Sequence, residues 1–312
     1  MEKIKVTVGI PYYHAPLALS ELIAALYKQK ARVLDIKNEV EIIVVNDDDS
    51  DYIPKDLVRW SNIIHTIVVD KKNGGVASAR NEIIRRARGE FIFFLDQDCV
   101  PEETWLEEMY MYLVVGDSAG AGGRIYPKRR SGIVNEYYSI TNRLERPVVD
   151  RVTGDIVLII TANCGFRTEA IRRIGGFDEV AFFKQQGGED ADLTFRLKHA
   201  GYRLGFACNA RVSHLYPNNF FSLFEKYRGY GRGMKIYCIV RDIDPESIRQ
   251  PRYGILSFFW YTVKLPIPFF TSYRKFKKVV GFQKSIVFAF FETVKYVAHG
   301  IGFFPPLLVK KK

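Results

Sequence analysis

Only four cysteines occur in the 312 residues, Cys99, Cys164, Cys208 and Cys238, far apart and with neither Cys-x-x-Cys nor zinc-ligand spacing. Their spacing excludes a disulfide framework and a structural zinc site, and fits small packing residues in a reduced cytosolic compartment. Neither Gly-x-Gly-x-x-Gly nor Gly-x4-Gly-Lys-Ser/Thr is present, so dinucleotide binding of the Rossmann type and a P-loop are not indicated. No internal repeat and no low-complexity run interrupts the chain. The N-terminus enters a strand directly, without the apolar segment of a signal peptide. No stretch approaches about 18 uninterrupted apolar residues, which argues against a transmembrane helix. Acid is scarce in one region: residues 251–312 hold 11 Lys/Arg and a single acid, Glu292, and so carry +10 of the formal net charge of +11. The first 250 residues are close to neutral, and the basicity belongs to the tail.

What is present reads as α/β. With 47% hydrophobic and 26% charged residues, the composition is that of a globular protein, long enough for one catalytic domain, 1–250, and an appendage, 251–312. Lys5 to Ile10 is a first strand stopped by Pro11-Tyr12-Tyr13-His14-Ala15-Pro16, and Leu19, Leu22, Ile23 and Leu26 then recur at helical spacing. Glu41 to Val45 is a second, buried strand that ends in Asn46-Asp47-Asp48-Asp49-Ser50-Asp51, and Ile63 to Val69 is a third. Asn73-Gly74-Gly75 opens a helix with apolar positions Val76, Ala79, Ile83, Ile84 and Ala87. The unit is a right-handed βαβ.

The central strand, Phe91-Ile92-Phe93-Phe94-Leu95, runs into Asp96-Gln97-Asp98. An apolar pentad of this kind is a strand buried on both faces, and an extended backbone through Gln97 would turn Asp96 and Asp98 to one side. Paired carboxylates at the carboxyl edge of an open α/β sheet sit where such folds bind ligands, and hard oxygen donors suit Mg²⁺ or Mn²⁺. Two successive strands ending in acids on one edge favour a site over a solvated turn. Such acids can bond a ribose or a base N–H, or hold a metal that offsets a diphosphate. Arg80 is a candidate phosphate or carboxylate partner, set against an ordinary surface ion pair.

Ile10-Pro11-Tyr12-Tyr13-His14, Val44-Val45-Asn46-Asp47-Asp48-Asp49, Asn73-Gly74-Gly75-Val76-Ala77-Ser78-Ala79-Arg80-Asn81 and Leu95-Asp96-Gln97-Asp98 resemble the ordered signatures of a family 2 glycosyltransferase with the GT-A fold. Asn163-Cys164-Gly165-Phe166-Arg167, Gly175-Gly176-Phe177-Asp178-Glu179 and Gly187-Gly188-Glu189-Asp190-Ala191-Asp192-Leu193-Thr194-Phe195-Arg196 resemble its later segments. The set spans roughly residues 4–215, with one departure: the usual Asp-Asp-Gly-Ser is Asn46-Asp47-Asp48-Asp49 here, which removes a permissive glycine. The resemblance implies a mainly parallel sheet flanked by helices, a UDP-, GDP- or dTDP-linked sugar donor, and inversion at the anomeric carbon. It implies that Asp47 contacts the base, that Pro11 and Tyr13 line the nucleoside pocket, that Asp96 faces the ribose or metal, and that Asp98 ligates Mn²⁺ or Mg²⁺. By position in the family motif Asp190 is the general base and Glu189 holds the acceptor, with Asp192 the alternate base; helix capping is the competing role for these acids. His214, after a strand at Tyr202–Ala207, matches the family's C-terminal metal-ligating histidine, against a structural imidazole.

The tail alternates apolar stretches with lysines. Over 285–304, Glu292, Lys295 and His299 share one helical face, with Ile286, Phe290, Val294, Val297 and Ile301 elsewhere. Amphipathic segments lying on an anionic membrane surface account for both features, against core packing or a homo-oligomer interface; nucleic acid is disfavoured because no reader motif accompanies the charge. The expected protein is thus a cytoplasmic, peripheral enzyme on the inner face of the cell membrane that elongates a lipid-linked or envelope glycan. The segment from Arg124 to Asp155, with Lys128-Arg129-Arg130, is the place for acceptor-specific structure. The alternatives are a nucleotidyltransferase that makes the activated sugar, whose Gly-rich phosphate loop is absent, and a non-catalytic glycan-binding protein of the same fold.

Overall fold

The uninterrupted apolar runs at 42–45 and 91–95 become interior strands, because a strand covered on both faces needs no polar alternation. The computed structural model describes residues 3–49, 64–128, 131–142, 144–248 and 263–304. Ser50, Asp51, Ile63, Arg129, Arg130 and the tail at 251–262 and 305–312 lie outside them. In chain order the elements are β1 (Val6–Tyr12), α1 (Pro16–Leu26), α2 (Ile36–Glu39), β2 (Val40–Asn46), β3 (His65–Asp70), α3 (Val76–Arg86), β4 (Phe91–Leu95), β5 (Cys99–Pro101), α4 (Trp105–Val115) and β6 (Gly120–Pro127). There follow α5 (Ile133–Thr141), β7 (Val148–Val149), β8 (Ile156–Leu158), β9 (Asn163–Arg167), α6 (Thr168–Arg173), α7 (Glu189–His199), β10 (Leu204–His214), α8 (Phe220–Val240), α9 (Pro266–Val280) and α10 (Phe282–Phe303).

Eight strands form one mixed, mainly parallel sheet in the order β3-β2-β1-β4-β9-β6-β10-β5. β3, β2, β1 and β4 are mutually parallel, β9 runs antiparallel between β4 and β6, and β5 closes the edge antiparallel to β10. The strand order reverses at β1, so the crevice between the carboxyl ends of β1 and β4 is the switch point at which open α/β sheets take ligands. Leu19, Leu22, Ile23 and Leu26 of α1 are buried, as the spacing requires. Asn163 braces the far half of the sheet from a fully buried position: its amide donates to the carbonyls of Arg124 and Ala210, and its oxygen accepts the Trp105 indole N–H.

Three boundaries differ from expectation. β1 continues through Pro11 to Tyr12, paired with β2, because β4 pairing ends at Gly9↔Phe94 and leaves the other side without a ladder for proline to break. The backbone after β4 turns at once, with Cys99 N–H donating to the Asp96 carbonyl at 2.9 Å; the extended course through Gln97 is replaced by this turn. β10 runs to His214 with an irregularity between Ala207 and Arg211, so the histidine ends the strand. Of the cysteines, Cys99, Cys164 and Cys238 are buried and Cys208 is exposed.

The chain folds as two compact units, one of 1–130, 138–184 and 190–216 and a second of 131–137, 185–189 and 217–312. α8 falls in the second unit with α9 and α10. Within the second unit the backbones of α8 and α10 meet where they cross: a Cβ on Gly231 would lie 2.0 Å from the His299 carbonyl, and one on Gly302 would lie 1.9 Å from that of Arg228. The polar face of α10 is turned inward. Glu292 accepts from the Tyr137 hydroxyl at 2.6 Å, and Lys295 donates to the same hydroxyl while lying over the rings of Tyr137 and Tyr227. Phe276, Phe288 and Phe291 pack edge-on around Tyr137. Phe282, Ile286, Phe290 and Ile301 are left outward, each at least 40% exposed. α10 is long and apolar enough to cross a membrane by length and composition, and 44% of its most apolar window is buried inside the protein.

Burial pushes the His299 pKa down to about 4. Between that value and the ordinary 6.5 the unfolded chain binds a proton that the folded chain refuses, so stability falls as pH drops across this window. Urea unfolding followed at pH 7.5, 5.5 and 4.5 is expected to show this loss in the parent and a smaller one in His299→Leu; identical pH slopes would contradict it.

Candidate active site

Asp47, Asp48 and Asp49 follow the carboxyl end of β2, and Asp96 and Asp98 follow that of β4, where a parallel sheet directs its exit loops. At the end of β2, the Asp47 carboxylate accepts Lys71 Nζ at 2.5 Å, the Gly74 N–H at 2.9 Å and the Gly75 N–H at 2.7 Å. It thereby shapes the Asn73-Gly74-Gly75 turn that starts α3. Gly75 has φ 88°, and a Cβ there would sit 2.7 Å from the Lys184 backbone, so no other residue fits. Asp48 pairs with His14 Nδ1 at 2.6 Å, and Asp49 accepts the Asn73 N–H. Asp48, which replaces the usual glycine, keeps a negative φ, so the turn does not need the permissive residue.

One turn into α3, Arg80 donates to Asp96 Oδ1 at 2.8 Å with its guanidinium over the Phe177 ring. Arg80 is 2% exposed, which rejects the surface ion pair: a charge held this far from water needs its partner. Neighbouring Asn81 clamps the Phe177 backbone, donating to its carbonyl and accepting its N–H. The Gly-Gly-Phe segment is thereby fastened to the same helix.

Asp98 and His214 are 116 positions apart in sequence, and the sheet brings them together. β5 follows the Asp96–Cys99 turn directly and pairs with β10 in the register His214↔Cys99, while Leu215 N–H donates to the Asp98 carbonyl. His214 Nε2 lies 3.4 Å from Asp98 Oδ1, a separation that two ligands of one divalent ion can adopt. Cys99 completes a group whose donor atoms lie within 4.8 Å of one another. Its thiol donates to the Ala162 carbonyl, and soft sulfur suits Mg²⁺ or Mn²⁺ poorly. The carboxylate and the imidazole are the pair that fits.

α7 begins at Glu189, which is buried, and ends before Gly201, whose φ of 82° stops the helix. Asp192 is fully buried and bonds Arg196 Nε at 2.9 Å, a structural pair within one turn. Asp190 accepts the Ala191 N–H. Burial pushes the Cys164 thiol pKa far up; the charge of Arg80 opposes the rise, and the charges of Asp96 and Asp190 add to it. Gly187 and Gly188 do not form a loose tether: both have positive φ, and a Cβ on Gly233 would lie 1.8 Å from the Gly187 carbonyl.

Pro11 and Tyr13 flank the end of β1, with Tyr13 49% exposed. Three contributors were missed in the sequence. Lys71 lies two residues before the Asn73–Asn81 motif and Asn81 ends it, and neither carries a chemical signature of its own. Gln97 stands inside Asp-Gln-Asp, between two acids whose chemistry gives the stronger signal.

The family model described as glycosyl transferase family 2 matches residues 7–175. The pre-mycofactocin glycosyltransferase of Mycobacterium tuberculosis is 29% identical over 216 residues, which is 67% of this chain and 42% of that protein; the chain thus spans less than half of that relative's length. Glycosyltransferase AglE of Haloferax volcanii is 25% identical over 234 residues, 73% of this chain and 72% of that one. Among solved structures, mannosyltransferase PcManGT from Pyrobaculum calidifontis in complex with GDP-Man and Mn²⁺ has a TM-score of 0.60 at 15% identity, covering 95% of this chain and 87% of that one. Residues 1–349 of S. aureus TarS in complex with UDP-GlcNAc have a TM-score of 0.54 at 15% identity, covering 92% and 90%. These likenesses give the architecture as GT-A. A match that runs from Thr7 in β1 to Gly175 beyond α6 takes in more than half of the residues, and the chain belongs to glycosyl transferase family 2.

Proposed function

We propose that this chain is an inverting glycosyltransferase that moves a sugar from a UDP-, GDP- or dTDP-linked donor to a hydroxyl of a lipid-linked or cell-envelope glycan. The observation that carries the reading is the 3.4 Å approach of His214 to Asp98 at the carboxyl edge of the sheet. Pro11 and Tyr13 line the nucleoside pocket, and Asp47 offers its remaining lone pair to the base. Arg80 and Asp96 face the ribose and diphosphate. Asp98 and His214 hold Mn²⁺ or Mg²⁺, which when bound offsets the charge that develops on the departing nucleoside diphosphate.

Asp190 takes the proton of the acceptor hydroxyl as that oxygen attacks the anomeric carbon and the carbon–phosphate-oxygen bond breaks on the opposite face. Support for Asp190 over Asp192 comes from the Arg196 pair, which commits Asp192 to the helix. Glu189 orients the acceptor, and the segment Arg124–Asp155, which contributes β7 to the β7–β8 hairpin, supplies acceptor-specific structure. The name of the TarS relative, a poly(ribitol-phosphate) β-N-acetylglucosaminyltransferase of Staphylococcus aureus, supports an envelope polymer as acceptor class.

The second unit adds a membrane partner to this reading. Lys275, Lys277 and Lys278 of α9 are exposed, as are the apolar Phe282, Ile286, Phe290 and Ile301 of α10, and Glu292, the lone acid of 251–312, is bonded to Tyr137. A surface of this charge suits the anionic cytoplasmic face of a membrane, each lysine contributing about 1 kcal/mol.

Asp190→Asn is expected to fold normally and to transfer sugar at least about a hundredfold more slowly, read as nucleotide release from a panel of nucleotide sugars with Mn²⁺; turnover near that of the parent removes the assignment. His214→Ala should weaken Mn²⁺ binding, measured by calorimetry, and an unchanged affinity would make the imidazole structural. For the membrane, flotation with phosphatidylglycerol vesicles should be at least about tenfold weaker in the double variant Lys277→Glu, Lys278→Glu. Equal flotation of parent and variant would discard this surface.

A further inference from the structure

The pairing of β1 with β4 ends at Gly9↔Phe94, yet β1 runs on through Ile10, Pro11 and Tyr12. Beyond that point the carboxyl ends of the two strands are free to separate, and this crevice is the one the donor must enter. One side chain spans it. The Tyr13 N–H donates to Gln97 Oε1 at 2.6 Å, and Gln97 Nε2 donates back to the Tyr13 carbonyl at 2.8 Å. The two bonds reproduce, from a side-chain amide, the reciprocal exchange that one residue makes with another in a ladder.

The segment so held is under constraint. His14, next in sequence, has φ 47°, a left-handed conformation that is uncommon for a residue with a Cβ. On the far side it is tied to Asp48 through Nδ1, and the Tyr12 carbonyl accepts the Asp47 N–H. The Tyr13-His14 turn is therefore suspended between the end of β2 and the turn after β4, and Gln97 is its tether to the latter. Only glutamine both donates and accepts at this reach. Asparagine is one methylene too short, and glutamate would set an oxygen against the Tyr13 carbonyl.

We propose that Gln97 is a positioning residue for the donor: it sets the distance between the Tyr13 wall of the nucleoside pocket and the Asp96–Asp98 turn, so that the nucleoside and diphosphate ends of one molecule are gripped in register. The inference rests on the nucleotide-sugar reading above. Gln97 acts through the Tyr13 backbone and needs no contact with the reacting atoms. A nucleoside laid over the turn would also withdraw the amide pair from water and strengthen it.

The test uses the full chain with UDP, GDP and dTDP as probes, titrated calorimetrically in saturating Mn²⁺, together with Mn²⁺ alone. In Gln97→Met, which keeps the length of the side chain and loses both bonds, affinity for the nucleotide that the parent binds should fall about tenfold. Affinity for Mn²⁺ alone should stay within about twofold of the parent. Donor hydrolysis should show the same split, KM rising with kcat nearly unchanged, as expected when uniform binding is lost. Gln97→Asn should reproduce the loss, because its amide cannot reach. Nucleotide affinity within about twofold of the parent in either variant overturns the proposal, as does an equal fall in affinity for Mn²⁺ alone, which would place the residue's effect on the metal turn itself. A parent that binds none of the three nucleotides with Mn²⁺ overturns the nucleotide-sugar reading, and the role of Gln97 falls with it.

Discussion

Everything proposed for this site depends on one antiparallel register, that of β5 against β10. It places the last residue of an 11-residue strand opposite Cys99, and so sets His214 beside Asp98. Strand pairing has a side-chain period of two, so a slip of one residue would send the imidazole to the opposite face of the sheet. The irregularity between Ala207 and Arg211 absorbs a mismatch partway along β10 and lets its end meet β5 in the productive register.

Around this junction, ionic groups removed from water are matched one by one. Arg80 is answered by Asp96 and the face of Phe177, Asp47 by Lys71 and two glycine N–H groups, and Asp192 by Arg196. A buried charge left alone would cost more than such a fold has to spare. The pairings also separate the acids by exposure: Asp192 is buried against Arg196, whereas Asp96, Asp98 and Asp190 remain partly exposed. The Asn81 clamp on Phe177 and the Gln97 clamp on Tyr13 work in a second way. Each holds a loop backbone in place with one side-chain amide and adds no charge to a site already rich in it.

The C-terminal helices show what an amphipathic pattern leaves open. Glu292, Lys295 and His299 lie on one face, as their spacing requires, but that face meets Tyr137 and Tyr227 while Phe282, Ile286 and Phe290 look outward. Periodicity shows that a helix has two faces. Which of them is buried depends on what packs against it, and here a tyrosine hydroxyl and aromatic rings receive the polar groups.

The sequence by itself determined the α/β class, the parallel strands with acids at their tips and the family, because apolar runs, helical spacing and ordered motifs are local properties of the chain. It marked Asp96, Asp98, Asp190 and His214 as candidates by residue type and position. The tertiary structure decided that Asp98 and His214 stand 3.4 Å apart, that Asp192 is spent on Arg196, that the backbone turns after Leu95, and that Gln97 reaches Tyr13. Each of these is a contact between segments distant in sequence or a choice among hydrogen-bond partners. Such choices are made by strand register and by burial, which no single stretch of residues contains.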